Sequence, residues 1–201
     1  MQIDIIIYEG FDELDAIGPF EVFTQAAQMG AGLSTRLVTL ESAELVSASH
    51  GLQVRPQGVL DGSADLVVVA GGGWGGRAER GAWGEAQRGG LPSILAKLHR
   101  SGTPVAAVCT GGMLLAAAGL LEGRPAVTHH SARDDLVASG AVWSDHRVVD
   151  DGDVITSGGV TSGLDLALWL VERYFGRDLR TRVAAHIEHR PDDNVRVSAT
   201  R

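Results

Sequence analysis

Sulfur is scarce in this chain, which has one cysteine and three methionines among 201 residues. A single cysteine excludes an internal disulfide and also excludes a metal site built from several thiolates. Two interpretations are left for Cys109: an inert thiol in the core, or a reactive thiol in a functional site.

Basic residues are outnumbered, with 17 Lys and Arg against 25 Asp and Glu, and the net charge is −8. Because this charge repels a phosphate backbone and no basic cluster offsets it, we expect no nucleic-acid partner. The longest apolar run, Met113 to Leu121, is far shorter than the ~20 residues of a bilayer crossing, so we expect no membrane association. Residues Met1 to Asp4 do not begin a secretory signal, which predicts a cytoplasmic protein.

Glycine, in contrast, is abundant, with 27 residues, and the excess indicates many tight turns and close backbone approaches. The length predicts a single domain over residues 1–201. Buried-strand patterns alternate with helical periodicity along the chain, as is typical of α/β proteins. We therefore predict a flavodoxin-like, doubly wound, mostly parallel sheet with helices on both faces.

The boundaries of these elements are predicted from apolar runs and turn residues. The predicted strands are Ile3 to Tyr8, Thr35 to Leu40, short pieces within Leu45 to Val54, Leu66 to Ala70, Val105 to Val108, Ala126 to Thr128 and Val154 to Thr156. The predicted helices are Leu14 to Ala27, Pro92 to Arg100, Met113 to Leu121 and Leu164 to Phe175, with a loop from Trp74 to Gly90. Leu179 to Ile187 also has helical periodicity.

Cys109 stands where a buried strand passes into a helix, with Ala107 and Gly111 two residues to either side. Small residues at these positions are typical of a nucleophile elbow, a tight turn that lifts the reactive side chain above the sheet edge. A helix N-terminus can lower the pKa of a nearby thiol. We therefore expect a reactive Cys109 with a depressed pKa and selective oxidation.

Several segments, in this order and spacing, resemble the ThiJ/PfpI superfamily, particularly its isocyanide (isonitrile) hydratase branch. The segments are Leu14 to Pro19 with Glu21 to Phe23, Gly71-Gly72, Cys109 to Gly111 with the helix Leu114 to Leu121, Val127 to His129, and Ser157 to Asp165. The resemblance covers nearly the whole chain.

The resemblance implies that Cys109 is the catalytic nucleophile, that Asp15 moves protons beside it and that Thr110 shapes the pocket. It implies a homodimer, a small-molecule substrate, no cofactor and no metal. The thiolate would attack an isocyanide carbon to give a thioimidate, and water would release an N-substituted formamide. Asp15 stands where glyoxalase-like members usually carry glutamate, and Thr110 where peptidase members carry histidine. His130 departs from the tryptophan of close hydratase relatives.

Other residues near these segments have more than one interpretation. The amides of Gly72 and Thr110 could face developing negative charge, with Gly71 and Gly72 letting the backbone approach, or the glycines could serve turn flexibility alone. His129 is a plausible pocket residue. Asp15 could instead be an acid that favours a helix start.

The remaining motifs favour structural interpretations or coincidence. The segment from Gly71 to Gly76 matches G-x-G-x-x-G but lacks the βαβ context of a dinucleotide site. His186-Ile187-Glu188 lies in a helical pattern, so its likeness to an amidotransferase triad element is coincidental. Ser162 and Asp165 fit a capping box.

Two other functions stay open on the sequence. One is a glyoxalase-type or amidase-type hydrolase that uses the same cysteine. The other is a stand-alone module that senses redox state or binds a ligand.

The first prediction is that Cys109→Ala abolishes isocyanide turnover while the protein stays folded, because no other thiol can replace the nucleophile. Hydration rates and circular dichroism of the variant test it. Activity within about tenfold of wild type would contradict covalent catalysis by Cys109.

Overall fold

The computed structural model describes residues 1–198, and the last three residues of the predicted domain lie outside the described residues. The strands are β1 (Gln2–Ile6), β2 (Ser34–Thr39), β3 (Val46–Ser47), β4 (Gln53–Val54), β5 (Gly58–Val59), β6 (Leu66–Val69), β7 (Val105–Ala107), β8 (Pro125–Ala126), β9 (Val142–Trp143), β10 (Val148–Asp150), β11 (Val154–Ser157) and β12 (Val195–Val197). The helices are α1 (Glu13–Gln28), α2 (Ala82–Arg88), α3 (Gly90–Arg100), α4 (Gly111–Ala117), α5 (Arg133–Ala138), α6 (Ser162–Phe175) and α7 (Arg177–His186).

Eight strands form one sheet in the order β12-β10-β11-β7-β6-β1-β2-β5. Every neighbouring pair in this sheet is parallel except β10 and β11. The pairs β3–β4 and β8–β9 form two small separate sheets. The mostly parallel, flavodoxin-like sheet that the sequence predicted is confirmed.

Helices cover both faces of this sheet, because its central strands are apolar on both sides. All four residues of β6 and all three of β7 are buried. Helices α1, α6 and α7 contact one another as one layer, and α2, α3 and α4 form another. At the crossing of α1 and α6, a side chain on Gly163 would lie 3.1 Å from Val108 and 3.4 Å from Pro19, so glycine permits this close approach.

The structure corrects three of the predicted local elements. Helix α4 begins at Gly111 and ends at Ala117, because Gly119 with φ +74° turns the chain away. The predicted loop from Trp74 to Gly90 contains α2, which glycine-rich flanks conceal in the sequence.

The predicted capping box is also wrong. Thr161, not Ser162, precedes α6, and no side chain caps that helix start. The carboxylate of Asp165 instead accepts hydrogen bonds from Arg147 and His189. Hydrogen-bond partners from other parts of the chain therefore override the local capping pattern.

The carboxyl ends of the central strands meet at one edge of the sheet. Gly71 follows β6, Cys109 follows β7 and Gly158 follows β11. Ligands in doubly wound folds bind outside these ends, so the topology brings the predicted site residues to the expected place.

Among residues 1–198, no helix is both long enough and apolar enough to cross a membrane.

The packing of α4 gives a test of stability. A methyl group on Gly111 would lie 2.4 Å from the Val69 carbonyl oxygen, so we expect Gly111→Ala to lower the free energy of unfolding by about 1–3 kcal/mol. Gly76→Ala is the matched control, because among the described residues nothing lies within 4 Å of the added methyl; its effect should stay within about 0.5 kcal/mol. Urea unfolding of both variants measures the difference, and equal effects would contradict this packing.

Candidate active site

Cys109 lies in a strained turn between β7 and α4. Its φ is +57°, a left-handed conformation that is uncommon for a residue other than glycine. Its N–H donates to the Gly158 carbonyl at 2.9 Å, and its carbonyl accepts from Thr128 Oγ1 at 2.8 Å. The surroundings therefore hold the elbow geometry that the sequence predicted, and the residue is buried, with 6% of its surface exposed.

Asp15 is fully buried on the first turn of α1, not on a surface-facing helix start. Its Oδ2 accepts a hydrogen bond from the Gly71 N–H at 3.0 Å. Its Oδ1 makes no regular hydrogen bond among residues 1–198, although the Cys109 thiol and the Val160 N–H lie close to the carboxyl group. A buried carboxylate oxygen without a partner is costly, and such groups concentrate at functional sites.

Asp15 and Cys109 both hold their protons more tightly than they would in water. Burial, followed by the charge of Asp12, raises the pKa of Asp15 to about 8. Burial, followed by the charge of Asp15, raises the pKa of Cys109 to about 12. The depressed thiol pKa that the helix start predicted is therefore wrong, because desolvation and a neighbouring carboxylate outweigh the short helix α4.

Two backbone amides oppose this increase in the pKa of Cys109. The N–H groups of Val160 and Thr110 lie toward the sulfur and lower its pKa, and the Val160 N–H does the same for Asp15. Val160 has a φ of +48°, an outlier for a β-branched residue. Sequence reasoning missed Val160 as a site residue. The only local signal is the preceding Gly158-Gly159 pair, which indicates a turn but not where an amide points.

The two predicted glycines donate backbone hydrogen bonds to side chains of the site. The Gly72 N–H donates to Thr110 Oγ1 at 2.8 Å, and the Gly71 N–H donates to Asp15. Both amides are thus occupied within the protein, which corrects the expectation that Gly72 faces developing charge. A side chain on Gly71 would lie 2.5 Å from the Thr110 nitrogen, so glycine is required for this close approach.

His129 lies beside the same loop as Val160. Its ring packs against Gly159, where an added Cβ would lie 2.2 Å from His129 Cδ2, and its Nδ1 lies 2.8 Å from Ser131 Oγ. Burial, with the neighbouring His130, lowers the pKa of His129, which favours the neutral imidazole.

Tyr8 is a buried neighbour that sequence reasoning also missed as a site residue. Its hydroxyl donates to the Ala70 carbonyl at 2.7 Å. Burial, followed by the charges of Asp15 and Cys109, raises its pKa well above the ordinary value, so the phenol is neutral. Within the predicted strand Ile3 to Tyr8, nothing distinguished this residue from other core positions.

Other candidate residues do not join this site. Glu21 is exposed and bonded to Gln25, while His186 and Glu188 are exposed at the end of α7. Ligand atoms of Asp12, Glu13 and His50 lie within 4.8 Å of one another. Both oxygens of Glu13 accept bonds from the segment Ser49 to Leu52, so this cluster anchors that segment to α1.

These features define a class of protein: a doubly wound α/β fold that carries a cysteine at a strand–helix elbow, with a buried acid beside it. The sequence pattern of the DJ-1/PfpI family matches residues 1–173 of this chain. The chain belongs to this family.

Individual relatives agree with that assignment. An isonitrile hydratase from Pseudomonas putida is 33% identical over 195 residues, which cover 95% of this chain and 79% of the relative. A Parkinson disease protein 7 homolog from Danio rerio is 27% identical over 187 residues, covering 90% and 93%. The crystal structure of a ThiJ/PfpI family protein from Pseudomonas syringae is similar with a TM-score of 0.83 and 28% identity, covering 95% of this chain and 76% of that one. The family thus includes enzymes.

The raised thiol pKa yields a prediction for Asp15→Asn. Between about pH 8 and 10, Asp15 is ionised and disfavours the thiolate, so removing its charge should lower the pKa of Cys109. Each unit of decrease should speed alkylation by iodoacetamide about three- to fourfold at a fixed pH below the thiol pKa, because the larger thiolate fraction is partly offset by the lower nucleophilicity of that thiolate. The control is Glu21→Gln, which neutralises an exposed acid on the same helix. Alkylation of Asp15→Asn at or below the wild-type rate would contradict the coupling.

Proposed function

We propose that this protein is a cysteine-dependent isocyanide hydratase, which converts an isonitrile and water to an N-substituted formamide. The observation that carries the proposal is the buried carboxyl group of Asp15, whose Oδ1 makes no regular hydrogen bond among the described residues, beside the thiol of Cys109. The reaction needs a nucleophile at the isocyanide carbon and a proton for the same carbon. A thiol and a neutral carboxyl group in contact supply both. The similarity to an isonitrile hydratase supports this choice of substrate.

In the first step, the sulfur of Cys109 forms a bond to the terminal carbon of R–N≡C. A proton from the Asp15 carboxyl passes to that carbon, and the thiol proton passes to Asp15 in return. The product is a thioimidate, R–N=CH–S, with Asp15 again protonated. With a pKa of about 8, Asp15 is mostly protonated at neutral pH, as this step requires.

In the second step, water adds to the thioimidate carbon, and the C–S bond breaks. The Asp15 carboxyl first gives its proton to the thioimidate nitrogen, and the resulting carboxylate accepts a proton from the attacking water. As the C–S bond breaks, Asp15 gives this proton to the departing sulfur and takes up the hydroxyl proton of the adduct, so that it ends protonated. The formamide R–NH–CHO leaves, and Cys109 is a thiol again. The N–H groups of Thr110 and Val160 favour negative charge on sulfur, so they assist departure of the thiolate.

The proposal also gives roles to the residues around Cys109 and Asp15. Thr110 shapes the pocket through its bond to Gly72, and Gly71 and His129 line the surroundings of the thiol. The substrate is a small molecule, and neither a cofactor nor a metal takes part in the proposed steps. A homodimer in the cytoplasm stays a prediction from the family resemblance.

The test compares Asp15→Asn with wild type on a panel of isocyanides. Asparagine keeps the shape but cannot transfer the proton, so kcat should fall by about 10²–10⁴-fold. Alkylation of Cys109 should not be slowed, because the thiol is still present and has lost the neighbouring charge that raises its pKa.

The matched control is again Glu21→Gln, which should hydrate isocyanides at the wild-type rate. Methylglyoxal and a peptide substrate complete the panel. Turnover of either one by wild type without isocyanide hydration would overturn the hydratase assignment. Isocyanide hydration by Asp15→Asn within about threefold of wild type would refute the proton-transfer role.

A further inference from the structure

The loop of residues 158–161, between β11 and α6, contacts Cys109 at two points. The Gly158 carbonyl accepts the Cys109 N–H at 2.9 Å, and the Val160 N–H lies toward the sulfur and toward Asp15. Val160 has a φ of +48°, a conformation that persists in a β-branched residue only when the surroundings hold it. Some part of the structure must therefore constrain this loop.

Arg147 bonds to both ends of the loop. Its carbonyl accepts the Gly158 N–H at 3.0 Å, and its Nη2 donates to Thr161 Oγ1 at 2.9 Å. Val160 lies between these two points. Arg147 therefore bonds to the loop both before and after the strained residue Val160.

Asp165 holds the guanidinium of Arg147 in place. Its Oδ2 contacts Arg147 Nε, and its Oδ1 accepts from His189 Nε2 and the Asp192 N–H, each at 3.0 Å. The Asp165 side chain is 1% exposed, so its carboxylate is shielded from water, whereas the Arg147 side chain is 29% exposed. The planar fork of arginine can bond to Asp165 and Thr161 at once, which a lysine ammonium on a flexible stem would not reproduce.

We propose that Arg147, anchored by Asp165, is a positioning residue that holds the loop so that the Val160 N–H stays directed at Cys109 and Asp15. This proposal rests on the proposed function for its catalytic consequence. Its effect on the thiol is independent of any substrate.

The chain offers a matched control for the structural role of such a pair. Arg173 forms an ion pair with Asp150 farther along α6, with side chains 30% and 4% exposed against 29% and 1% for Arg147 and Asp165. Arg173→Met and Arg147→Met therefore remove a cation from equally buried partners. Only the second variant releases the loop.

The experiment measures alkylation of Cys109 by iodoacetamide against pH, together with kcat and KM for isocyanide hydration, in four proteins. These are wild type, Arg147→Met, Thr161→Val and Arg173→Met. Thr161→Val removes the hydroxyl that Arg147 bonds without changing any charge, so it separates positioning from electrostatics. It also decides the question if Arg147→Met does not fold.

We expect Arg147→Met and Thr161→Val to slow alkylation several-fold at fixed pH and to lower kcat on the order of tenfold, with little change in KM. Arg173→Met should stay within about twofold of wild type in both readouts. Equal effects of Arg147→Met and Arg173→Met would overturn the proposal, as would a Thr161→Val variant within about twofold of wild type in either readout. If wild type hydrates no isocyanide, the proposed function fails, and the alkylation profiles alone decide the role of Arg147.

Discussion

Asp15 and Cys109 are buried side by side, and this pairing constrains everything around them. Ionisation of either group is unfavourable, because burial disfavours each charge and the two charges would repel each other. Protons are therefore retained by the pair at neutral pH, and the two groups titrate as a coupled unit. The backbone supports the pair with donors at fixed points: the Gly71 N–H on Asp15 and the Thr110 N–H at the sulfur.

The sheet order explains how residues distant in sequence reach this position. Strands β1, β6, β7 and β11 occupy the centre of the sheet, so the segments that follow them converge at one edge. Close approach then depends on positions without a side chain, since a Cβ on Gly71 or Gly111 would overlap neighbouring backbone atoms. The high glycine content thus serves the convergence of loops at the site as well as turns.

The parallel sheet, the elbow and Asp15 could be predicted because each leaves a local pattern or a family resemblance. The direction of the thiol pKa could not, because it depends on burial and on a carboxylate 94 positions away in sequence. Val160 was missed for a similar reason: neither its φ of +48° nor the direction of its N–H follows from the local sequence. Asp165 misled the capping prediction, since Arg147 and His189 bind its carboxylate from distant segments.

A thiol with a raised pKa suits the proposed reaction better than a standing thiolate would. The thiolate is the nucleophile, so Cys109 must pass its proton to Asp15 during the attack; the thiolate formed in this way is intrinsically more nucleophilic because its pKa is high. An isocyanide must also gain a proton at the carbon that sulfur attacks, and an ionised pair would have none to give. Because Asp15 with a pKa of about 8 keeps its proton at neutral pH, the pair adds sulfur and hydrogen to one carbon without outside help. Depressing the thiol pKa by removing Asp15 would therefore make Cys109 more reactive toward alkylation and less able to hydrate an isocyanide.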